Sequence, residues 1–578
     1  MKLTKNILII ITIMLCITGC NDFLEDTLQY TSEEEVITSG LRSRGIIEDI
    51  YTDYSFRYFT DFSVEYLTDN GVLNSSETNY ANNNWGAAES HPYNYVWQQS
   101  YNNIRQIYQY IDLVHDAGLP YLPSEASEPF SDKIVARYYG EAHFLKAWAE
   151  WELLKIYGGP SADGTMLGFP IVNGTLENEE YATLSRNTYD ECVDQIMADL
   201  DVAIENLPLI YSGSENDNPG YSDLETGRAS GLAAYALKAK VALFAASPAF
   251  NPSNDNSKWV LAAEYAHEVI EQNGGLKSLQ PFNNSREDNP DQIWRMRNSR
   301  NNNSLEKRLY PPTLYGQGEV NPSQNLVDAF PDSNGYPISN ASSLYDPATP
   351  YSSRDSRFYK FIFYNGDQCF QSENCTNYNA LEMFEGGLDN FGGFIPNEGT
   401  RTGYYLKKYL NNLNFDPSAV NATTTLPKVY VQLGLTDIYL SYAEAVYNAY
   451  GQAETAPPGL NYSAKEVIAE IRKRAGFTSD PYLDEAAADA NLFENLIKNE
   501  RRLELCFTGE RFHDLRRWKD IVNIENVNGV KITKNEDETF SYDNIQVEAR
   551  GYGNKNYYLP LPYDELIINT NLKQNQGW

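Results

Sequence analysis

The stretch Asn499–Trp518 has the residue types and the charge density of a catalytic centre. It reads NERRLELCFTGERFHDLRRW, with nine formal charges, one histidine and a glycine near its middle. Glu, Asp and His side chains serve as general acids and bases, and Arg side chains stabilise negative charge that develops during a reaction. The spacing favours a structural role, because apolar residues recur at helical intervals on both sides of Gly509.

We therefore predict two amphipathic helices that meet at Gly509 and carry ion pairs on their exposed faces. The predicted pairs are Arg501–Glu504, Arg511–Asp514 and Asp514–Arg517, whose members are three positions apart and so adjacent on a helix surface. Exposed pairs of this kind stabilise a protein by roughly a few tenths of a kcal/mol each. The stretch is interpreted as scaffold, and a functional site is expected in other segments.

Other patterns for enzyme chemistry are incomplete. The run HEVIE at residues 267–271 lacks the second histidine of a zinc-protease helix. The chain has no G-x-S-x-G nucleophile turn, and its Gly-x-Gly pairs at Gly316 and Gly551 lack the third glycine of a dinucleotide loop. With 79 acidic residues, the sequence cannot identify the carboxylate pair of a glycosidase. We therefore predict a protein that is not an enzyme.

No cofactor is predicted, and calcium is the one metal that remains a candidate. The run Asp332-Ser333-Asn334-Gly335 has the start of a calcium-binding turn. It lacks the remaining ligands of an EF-hand loop. A calcium site is therefore not the favoured interpretation of this turn.

The overall charge limits the class of partner. The chain has a formal net charge of -34 and a pI near 4.5. Nucleic acid is excluded as an expected partner, because phosphate binding needs an excess of Lys and Arg. An acidic surface also disfavours electrostatic docking to anionic lipid. Neutral ligands suit the composition, which includes 44 Tyr, 24 Phe and 8 Trp.

The first twenty residues predict export and lipid attachment. Lys2 and Lys5 precede an apolar run at residues 7–17, which is too short to span a bilayer and is typical of a secretory signal. The run ITGC that follows resembles a bacterial lipoprotein signal, in which Cys20 becomes the acylated first residue. The NDFLED run after Cys20 is similar to the acidic surface-export signals of Bacteroidetes lipoproteins. A cleaved signal with an incidental Cys20 is the alternative.

Cys16 lies in the predicted signal, and the four remaining cysteines divide into two groups. Cys369 and Cys375 bracket a polar loop, and disulfides persist in exported proteins, so a loop-closing disulfide is predicted. Cys192 and Cys506 lie on apolar helical faces and are predicted to be buried.

Apolar periodicity predicts a mainly α protein in which two helical blocks flank a loop-rich region. The predicted helices are Trp97–Val114, Arg137–Tyr157, Thr188–Glu205, Gly231–Ala246, Trp259–Gln272, Leu435–Tyr450, Ser463–Ala475 and Asn491–Phe507. Successive helices with short connections favour a scaffold of tetratricopeptide type. Residues 273–434 are rich in Gly, Asn, Pro and aromatics, with short strands expected at Gln292–Met296 and Phe358–Tyr364. A loop-rich excursion of this length is usually functional.

Several motifs resemble the SusD/RagB family of Bacteroidetes outer-membrane lipoproteins. They are IAEIRKRAG at 468–476, the ERRLEL and GERFHDLRRW runs within 500–518, the YAEA helix within 436–449, and the terminal LPLPYDELIINTNLKQNQGW. The resemblance implies a signal peptide at 1–19, an N-terminal helical region at 20–272, the excursion at 273–434 as part of the ligand site, and a C-terminal helical region with a tail at 435–578. It also implies glycan binding at the cell surface and docking onto a SusC-like TonB-dependent transporter.

Two polar, aromatic segments are predicted to bind the ligand, because sugars present apolar C–H faces and a rim of hydroxyl groups. The loop at 68–90 supplies Tyr80, Asn83, Asn84 and Trp85, and the excursion supplies Tyr315, Arg401 and Tyr404. Precisely placed polar groups in such a site give selectivity. Ordinary loop packing is the alternative for the residues of the excursion, and TGYYLKKYL is also compatible with a structural strand.

The function predicted from these observations is that of a lipid-anchored glycan-binding protein on the surface of the outer membrane. It would capture an oligosaccharide and deliver it to its transporter. A peptide-binding uptake protein of the RagB branch is the first alternative, since it shares the scaffold motifs. A surface glycoside hydrolase is the second.

Overall fold

The computed structural model describes most of the 578-residue chain. The described residues are 45–52, 64–75, 86–88, 91–112, 128–176, 178–282, 289, 291–295, 303–314, 316–368, 380–396, 398–410 and 430–578. Cys20, Cys369 and Cys375 lie outside them, so the lipid attachment and the disulfide stay predictions.

Helices dominate the described residues. They are α1 (Asn94–Tyr110), α2 (Glu128–Tyr157), α3 (Asn178–Tyr181), α4 (Tyr189–Asn206), α5 (Gly231–Ala246), α6 (Asn256–Gln272), α7 (Asn303–Leu309), α8 (Gln324–Ala329), α9 (Ser356–Phe361), α10 (Leu435–Tyr450), α11 (Ala464–Ala475), α12 (Pro481–Ala487), α13 (Ala490–Glu504), α14 (Glu510–Arg517) and α15 (Tyr563–Ile568). None of the described helices is both long and apolar enough to traverse a bilayer.

The long helices pack in chain order. α1 packs on α2, α2 on α4, α4 on α5 and α5 on α6. α10 then packs on α6 and on α11, so the scaffold continues across the loop-rich excursion. Nearest-neighbour packing is typical of helical repeat proteins. The predicted mainly α fold with a tetratricopeptide-like scaffold is confirmed.

Local sequence signals fix several helix ends. Thr188 caps α4 and Ser463 caps α11, each in a reciprocal capping box with the glutamate three residues later. Gly476 ends α11 in the left-handed region with φ of 107°. The predicted bounds of α5 and α10 are those observed. Ser230 caps the start of α5 through its side chain, and Gly451 ends α10 in the left-handed region.

The strands form small antiparallel pairs. They are β1 (Gly71–Leu73), β2 (Gly159–Pro160), β3 (Met166–Leu167), β4 (Gln292–Arg295), β5 (Val320–Pro322), β6 (Ile362–Phe363), β7 (Tyr405–Leu406), β8 (Val431–Gly434), β9 (Asn526–Lys534) and β10 (Phe540–Ala549). The pairs are β1–β5, β2–β3, β4–β8, β6–β7 and β9–β10. The β9–β10 hairpin is the longest of these pairs.

Two hydrophobic cores result. The first lies within the helical scaffold and includes Trp294 and Cys192, the latter of which was predicted to be buried. The second lies in the excursion and is completed by Cys506 beyond α13 and by Ile532 of β9. The C-terminal region therefore contributes to both cores.

One predicted strand is mostly helix. Residues 358–361 belong to α9, and β6 begins only at Ile362. The Asp355 side chain accepts the backbone N–H of Arg357 and caps the helix, an interaction that favours helix over strand at this point. Phe358 and Phe361, three positions apart, then face the second core together.

The charged stretch does form two helices, α13 and α14, but most of its charged residues are buried and none is exposed. Arg501 donates to Asp514 at 2.8 Å through Nε and to Asp437 at 2.7 Å through Nη1. Of the three predicted pairs, Asp514–Arg517 is present at 2.8 Å, whereas Arg501 and Arg511 bind other partners. The prediction of exposed pairs was wrong, because helical spacing identifies neighbours and says nothing about which face other elements cover.

The glutamates of α13 form a second buried network. Glu500 accepts from Arg357 at 2.6 Å and from Arg472 at 2.5 Å, and Glu504 accepts from Arg474 at 2.5 Å. Burial alone raises the pKa of Glu500, but the guanidinium groups of Arg357 and Arg472 lower it below its usual value. The charged stretch thus ties α13 to α9 and α11 through ionic contacts inside the protein.

Candidate functional site

An open cleft of about 910 Å³ lies between the excursion and the β9–β10 hairpin. We call it the Arg401 cleft, after one of the two cationic residues that line it. Its other lining residues include one aromatic, three amides and an aliphatic wall: Phe391, Asn74, Asn390, Gln546, Ile545 and Val547. The Phe391 side chain is 50% exposed.

Arg401 joins three chain segments at this cleft. Its Nη1 donates to the carbonyl oxygens of Leu73 at 3.1 Å and Ser75 at 2.9 Å, and it pairs with Glu548 Oε1 of β10 at 2.6 Å. Its Nε–H and Nη2–H groups make no hydrogen bond to any residue that the structure describes. Nη1 therefore has a structural role, and the other donors are available to a ligand in the cleft.

The turn that carries Arg401 is rigid. Thr400 Oγ1 accepts the backbone N–H groups of Thr402, Gly403 and Tyr404. Gly403 has φ of 86°, a left-handed conformation that favours glycine. The Val530 N–H of β9 donates to Thr402 O at 2.8 Å, so the turn is also attached to the hairpin.

The bases of the two predicted ligand-binding segments meet beside Arg401. β1 lies near the start of the 68–90 segment and pairs with β5 of the excursion. Asn74 donates its backbone N–H to Glu319 O at 2.9 Å and its side-chain amide to Gln317 O at 2.8 Å. Tyr315 is two positions from Gln317 in the chain. The structure thus brings together the anchors of both segments.

The charged stretch holds the other end of β1. Asp69 binds Arg502 of α13 at 2.8 Å and Arg511 of α14 at 3.0 Å. Burial raises the pKa of Asp69, but these two guanidinium groups hold it well below its usual range. Asp69 therefore stays ionised, and the start of the 68–90 loop is fixed to the scaffold.

The predicted site residues are unequally placed. Arg401 lines the cleft, as described above. Tyr404 is 1% exposed, belongs to the second core and donates its hydroxyl to Gln324 Oε1 at 2.7 Å, so its ring packs inside the protein. Tyr80, Asn83, Asn84, Trp85 and Tyr315 lie outside the described residues, and their ligand contacts stay predictions.

Sequence reasoning missed most of the cleft wall. Asn74 and Phe391 fall within segments that were singled out for their polar and aromatic character, so composition gave a usable signal for them. Gln546 and Ile545 lie on the outer part of β10, where alternating residues gave no sign of a ligand. Their place in the cleft depends on how the hairpin packs against the excursion.

The candidate calcium turn has its carboxylate occupied by the protein itself. Asp332 Oδ1 accepts the N–H groups of Asn334 at 2.9 Å and Tyr336 at 3.0 Å, and Oδ2 accepts from Ser343 and Leu344. No group of three or more His, Cys, Asp or Glu side chains suited to a metal occurs among the described residues. This turn is organised by hydrogen bonds.

The cleft can bind a neutral, hydroxyl-rich ligand. An exposed phenyl ring suits the apolar face of such a molecule, and Asn, Gln and Arg side chains match its hydroxyl groups. At the rim of the cleft, the Lys531 ammonium group and the Glu385 carboxylate pair at 3.0 Å. The two opposite charges offset each other there.

Sequence models of two known protein families match this chain. A sequence model of the SusD family matches residues 280–578. A second model, described as starch-binding associating with outer membrane, matches residues 22–243. No curated protein matches the chain.

Solved structures share the fold at low identity. A SusD-like protein from Bacteroides fragilis NCTC 9343 is 23% identical, with a TM-score of 0.70 over 96% of this chain and 100% of that one. A SusD-like carbohydrate binding protein from the same organism is 19% identical, with a TM-score of 0.66 over 93% and 99%. Surface glycan-binding protein A from Bacteroides uniformis is 18% identical, with a TM-score of 0.58 over 93% and 99%.

Proposed function

The chain belongs to the SusD family, and we propose on this premise that it binds glycans at the outer membrane. The observation that carries the proposal is the Arg401 cleft, in which an exposed aromatic residue, three amide residues and Arg401 line one open space. The names of related solved proteins, which include carbohydrate and glycan binding, support the same ligand class.

The cellular role follows from the sequence signals. Cys20 carries the lipid, and the folded chain lies on the outer face of the outer membrane. The captured oligosaccharide passes to a SusC-like TonB-dependent transporter. The protein contributes binding and no bond-breaking step.

We expect Arg401 to bind the glycan through its Nε–H and Nη2–H groups, which bind no residue that the structure describes. Hydrogen bonds to a charged group stabilise a complex by about 1.5–3 kcal/mol, so loss of Arg401 should weaken glycan binding about tenfold to hundredfold. Phe391→Ala removes the apolar platform and should weaken binding about fivefold to tenfold. Trp85→Ala tests the loop that was predicted from sequence.

A screen of polysaccharides and oligosaccharides by affinity electrophoresis and calorimetry tests the proposal. Arg308→Ala is the matched control, because Arg308 pairs with Glu319 beside β5 and does not line the cleft. We expect retarded migration on at least one glycan, reduced by Arg401→Ala and not by Arg308→Ala. Equal affinity in the wild type and in Arg401→Ala would place the ligand outside the cleft.

The same screen distinguishes glycan binding from the two alternative functions, peptide binding and glycoside hydrolysis. A peptide-binding protein of the RagB branch would bind oligopeptides in calorimetry and leave every glycan unbound. A glycoside hydrolase would release reducing sugar from the polysaccharide during incubation. Either result would replace the proposal.

A further inference from the structure

An open groove of about 300 Å³ lies between α13, α14 and the segment that follows α14. It shares no lining residue with the Arg401 cleft. From α13, it is lined at helical spacing by Asn495, Lys498, Asn499 and Arg502, so one face of the helix presents all four. Amide, ammonium and guanidinium groups therefore follow one another along this wall, which is rich in hydrogen-bond donors.

The opposite wall belongs to α14 and its end. Arg511, Leu515 and Trp518 line the groove at intervals of four and three positions. Leu515 and Trp518 are largely buried, and they give this wall an apolar surface. Arg511 thus faces the same groove as Arg502 of α13, beside that apolar surface.

Arg502 and Arg511 share a single carboxylate. Arg502 binds Asp69 Oδ2 through Nη2 at 2.8 Å, and Arg511 binds the same carboxylate through Nε at 3.0 Å and Nη2 at 3.1 Å. Burial lowers the pKa of Arg511, but Asp69 raises it above its usual value. Burial lowers the pKa of Arg502 to about 10, and Asp69 does not offset this effect. One carboxylate between two guanidinium groups leaves one positive charge in excess.

The excess charge lies at the two arginines and not at Lys498. The Lys498 ammonium group pairs with Glu494 at 3.0 Å and with Asp520 at 3.4 Å, so two carboxylates already surround it. The rest of the chain is strongly acidic, with a formal net charge of -34. Exposed charges more than about 8 Å away are largely screened at physiological ionic strength, so the charge of the groove itself governs the choice of ligand.

Each of the two arginines keeps a donor that a ligand can reach. Nη1 of Arg502 and Nη1 of Arg511 make no hydrogen bond or ion pair with any residue that the structure describes. Both side chains are 12% exposed, and neither Nη1 is closed off from solvent. Guanidinium groups recognise carboxylates and other oxyanions through N–H donors held in a planar fork. Two such groups on one carboxylate can bind a second oxyanion.

The remaining wall suits the hydroxyl groups of the molecule that carries the oxyanion. Asn495 is exposed, and its amide binds no described residue. Asn499 donates its amide to Ala329 O at 2.9 Å, and its Oδ1 accepts from no described residue. Amide groups both donate to and accept from hydroxyl groups. An anion with a hydroxyl-rich body therefore matches the groove better than a bare inorganic ion.

We propose that this groove binds the carboxylate of an acidic sugar, held by Arg502 and Arg511. The choice of a sugar as the carrier of the carboxylate rests on the proposed glycan binding, whereas the anion site does not depend on it. The groove would add acidic sugars to the neutral ligands that suit the Arg401 cleft.

Calorimetric titration of the full chain with glucuronate and galacturonate tests this site, with glucose, galactose and inorganic sulfate as comparison ligands. Arg502→Gln removes a free donor and the excess charge. Asn499→Asp keeps Arg502 and places a carboxylate three positions before it on the same helix face, where it competes with the ligand. Arg308→Ala is the matched control, because Arg308 pairs with Glu319 and does not line the groove.

We expect one-to-one binding of at least one sugar acid and weaker or no binding of its neutral counterpart. Hydrogen bonds to charged groups contribute enough for binding to weaken about tenfold to hundredfold in Arg502→Gln and in Asn499→Asp. Binding should be unchanged in Arg308→Ala. Circular dichroism of each variant excludes misfolding, and the nearly isosteric Asn499→Asp keeps the test decisive if Arg502→Gln does not fold.

Four results would overturn the proposal. They are the absence of sugar-acid binding with a dissociation constant below about 10 mM, equal affinity for glucuronate and glucose, sulfate binding as tight as that of the sugar acids, and binding that is lost in Arg401→Ala but retained in Arg502→Gln and Asn499→Asp. The last result would assign the acid to the cleft. If sugar acids bind in the groove and no neutral glycan binds at all, the cleft proposal fails and this one is supported, so the two failures are distinguishable.

Discussion

Replacement of Arg501 by Met tests whether the buried charges of α13 and α14 stabilise the fold. Arg501 has a fully buried side chain that contacts Asp514 and Asp437. Breaking a buried pair by removal of one partner costs about 3–5 kcal/mol. Asp437 keeps Lys240 at 2.9 Å and Asp514 keeps Arg517 at 2.8 Å, so we expect the lower part of this range, about 3–4 kcal/mol.

Calorimetric melting measures this change. The entropy of unfolding is about 2.1 cal/mol/K per residue, which gives about 1.2 kcal/mol/K for this chain and a fall in Tm of about 3 °C. Lys573→Ala is the control, because Lys573 and Asp163 form a pair at 3.0 Å with side chains 62% and 54% exposed. An exposed pair contributes about 0–1 kcal/mol, so its loss should lower Tm by less than about 1 °C.

The double variant Arg501→Met, Lys240→Met sharpens the test. It removes both cations that contact Asp437, so the loss should exceed the sum of the two single losses. If Arg501→Met lowers Tm no more than Lys573→Ala does, the stabilising role of the buried network is refuted.

Two further predictions concern Glu65, which binds Asn70 beside the start of β1, and Gly403, which lines the cleft. Burial raises the pKa of Glu65 from 4.5 to about 7. Between pH 4.5 and pH 7 the folded chain therefore keeps the Glu65 proton, whereas the unfolded chain releases it. The free energy of unfolding should fall by about 3 kcal/mol as the pH rises through this range. Glu65→Gln has no ionisable group at this position and should not show this loss of stability. Relative to the wild type, the Tm of the variant should be higher at pH 8 than at pH 5. A difference in Tm that is the same at both pH values would contradict the raised pKa of Glu65. Gly403→Ala should destabilise the protein by about 2–3 kcal/mol, because its Cβ would lie 2.7 Å from Val530 Cγ1 at a φ of 86°. Gly366→Ala has a similar φ of 85° and open space around its Cβ, so it should cost only about 1 kcal/mol, and equal melting shifts would exclude the contact with Val530 as the cause.

The helical scaffold was predictable because its signals are local. Thr188 and Ser463 begin helices through their own side chains, and Gly476 ends one through its own backbone. Apolar faces at helical spacing then identify which side of each helix is buried. These features need no knowledge of distant contacts.

The burial of the charges and the wall of the cleft were not predictable in the same way. The sequence around Arg501 is typical of an exposed helix face. Its burial results from the packing of α10 and α14 against α13, which brings Asp437 and Asp514 to its guanidinium group. Gln546 reaches the cleft through the position of β10, which depends on contacts with the distant excursion. Arg401 was predicted from the polar and aromatic composition of its segment. Tyr404 lies in the same segment but is buried in the second core, so this composition does not separate ligand-binding residues from core residues.

The pairing of β4 with β8 has a consequence for how this protein can diversify. β4 lies near the start of the excursion and β8 at its end, and Gln292 pairs with Gly434 directly before α10 begins. The two ends of the excursion are therefore clamped together next to the junction of α6 and α10. Lengthening a loop closed in this way costs little, about 0.6 kcal/mol for each doubling. Insertions in the loops between the clamped strands can thus be inherited without separating α6 from α10, provided that α9 keeps Arg357 in contact with Glu500 and Glu504 of α13.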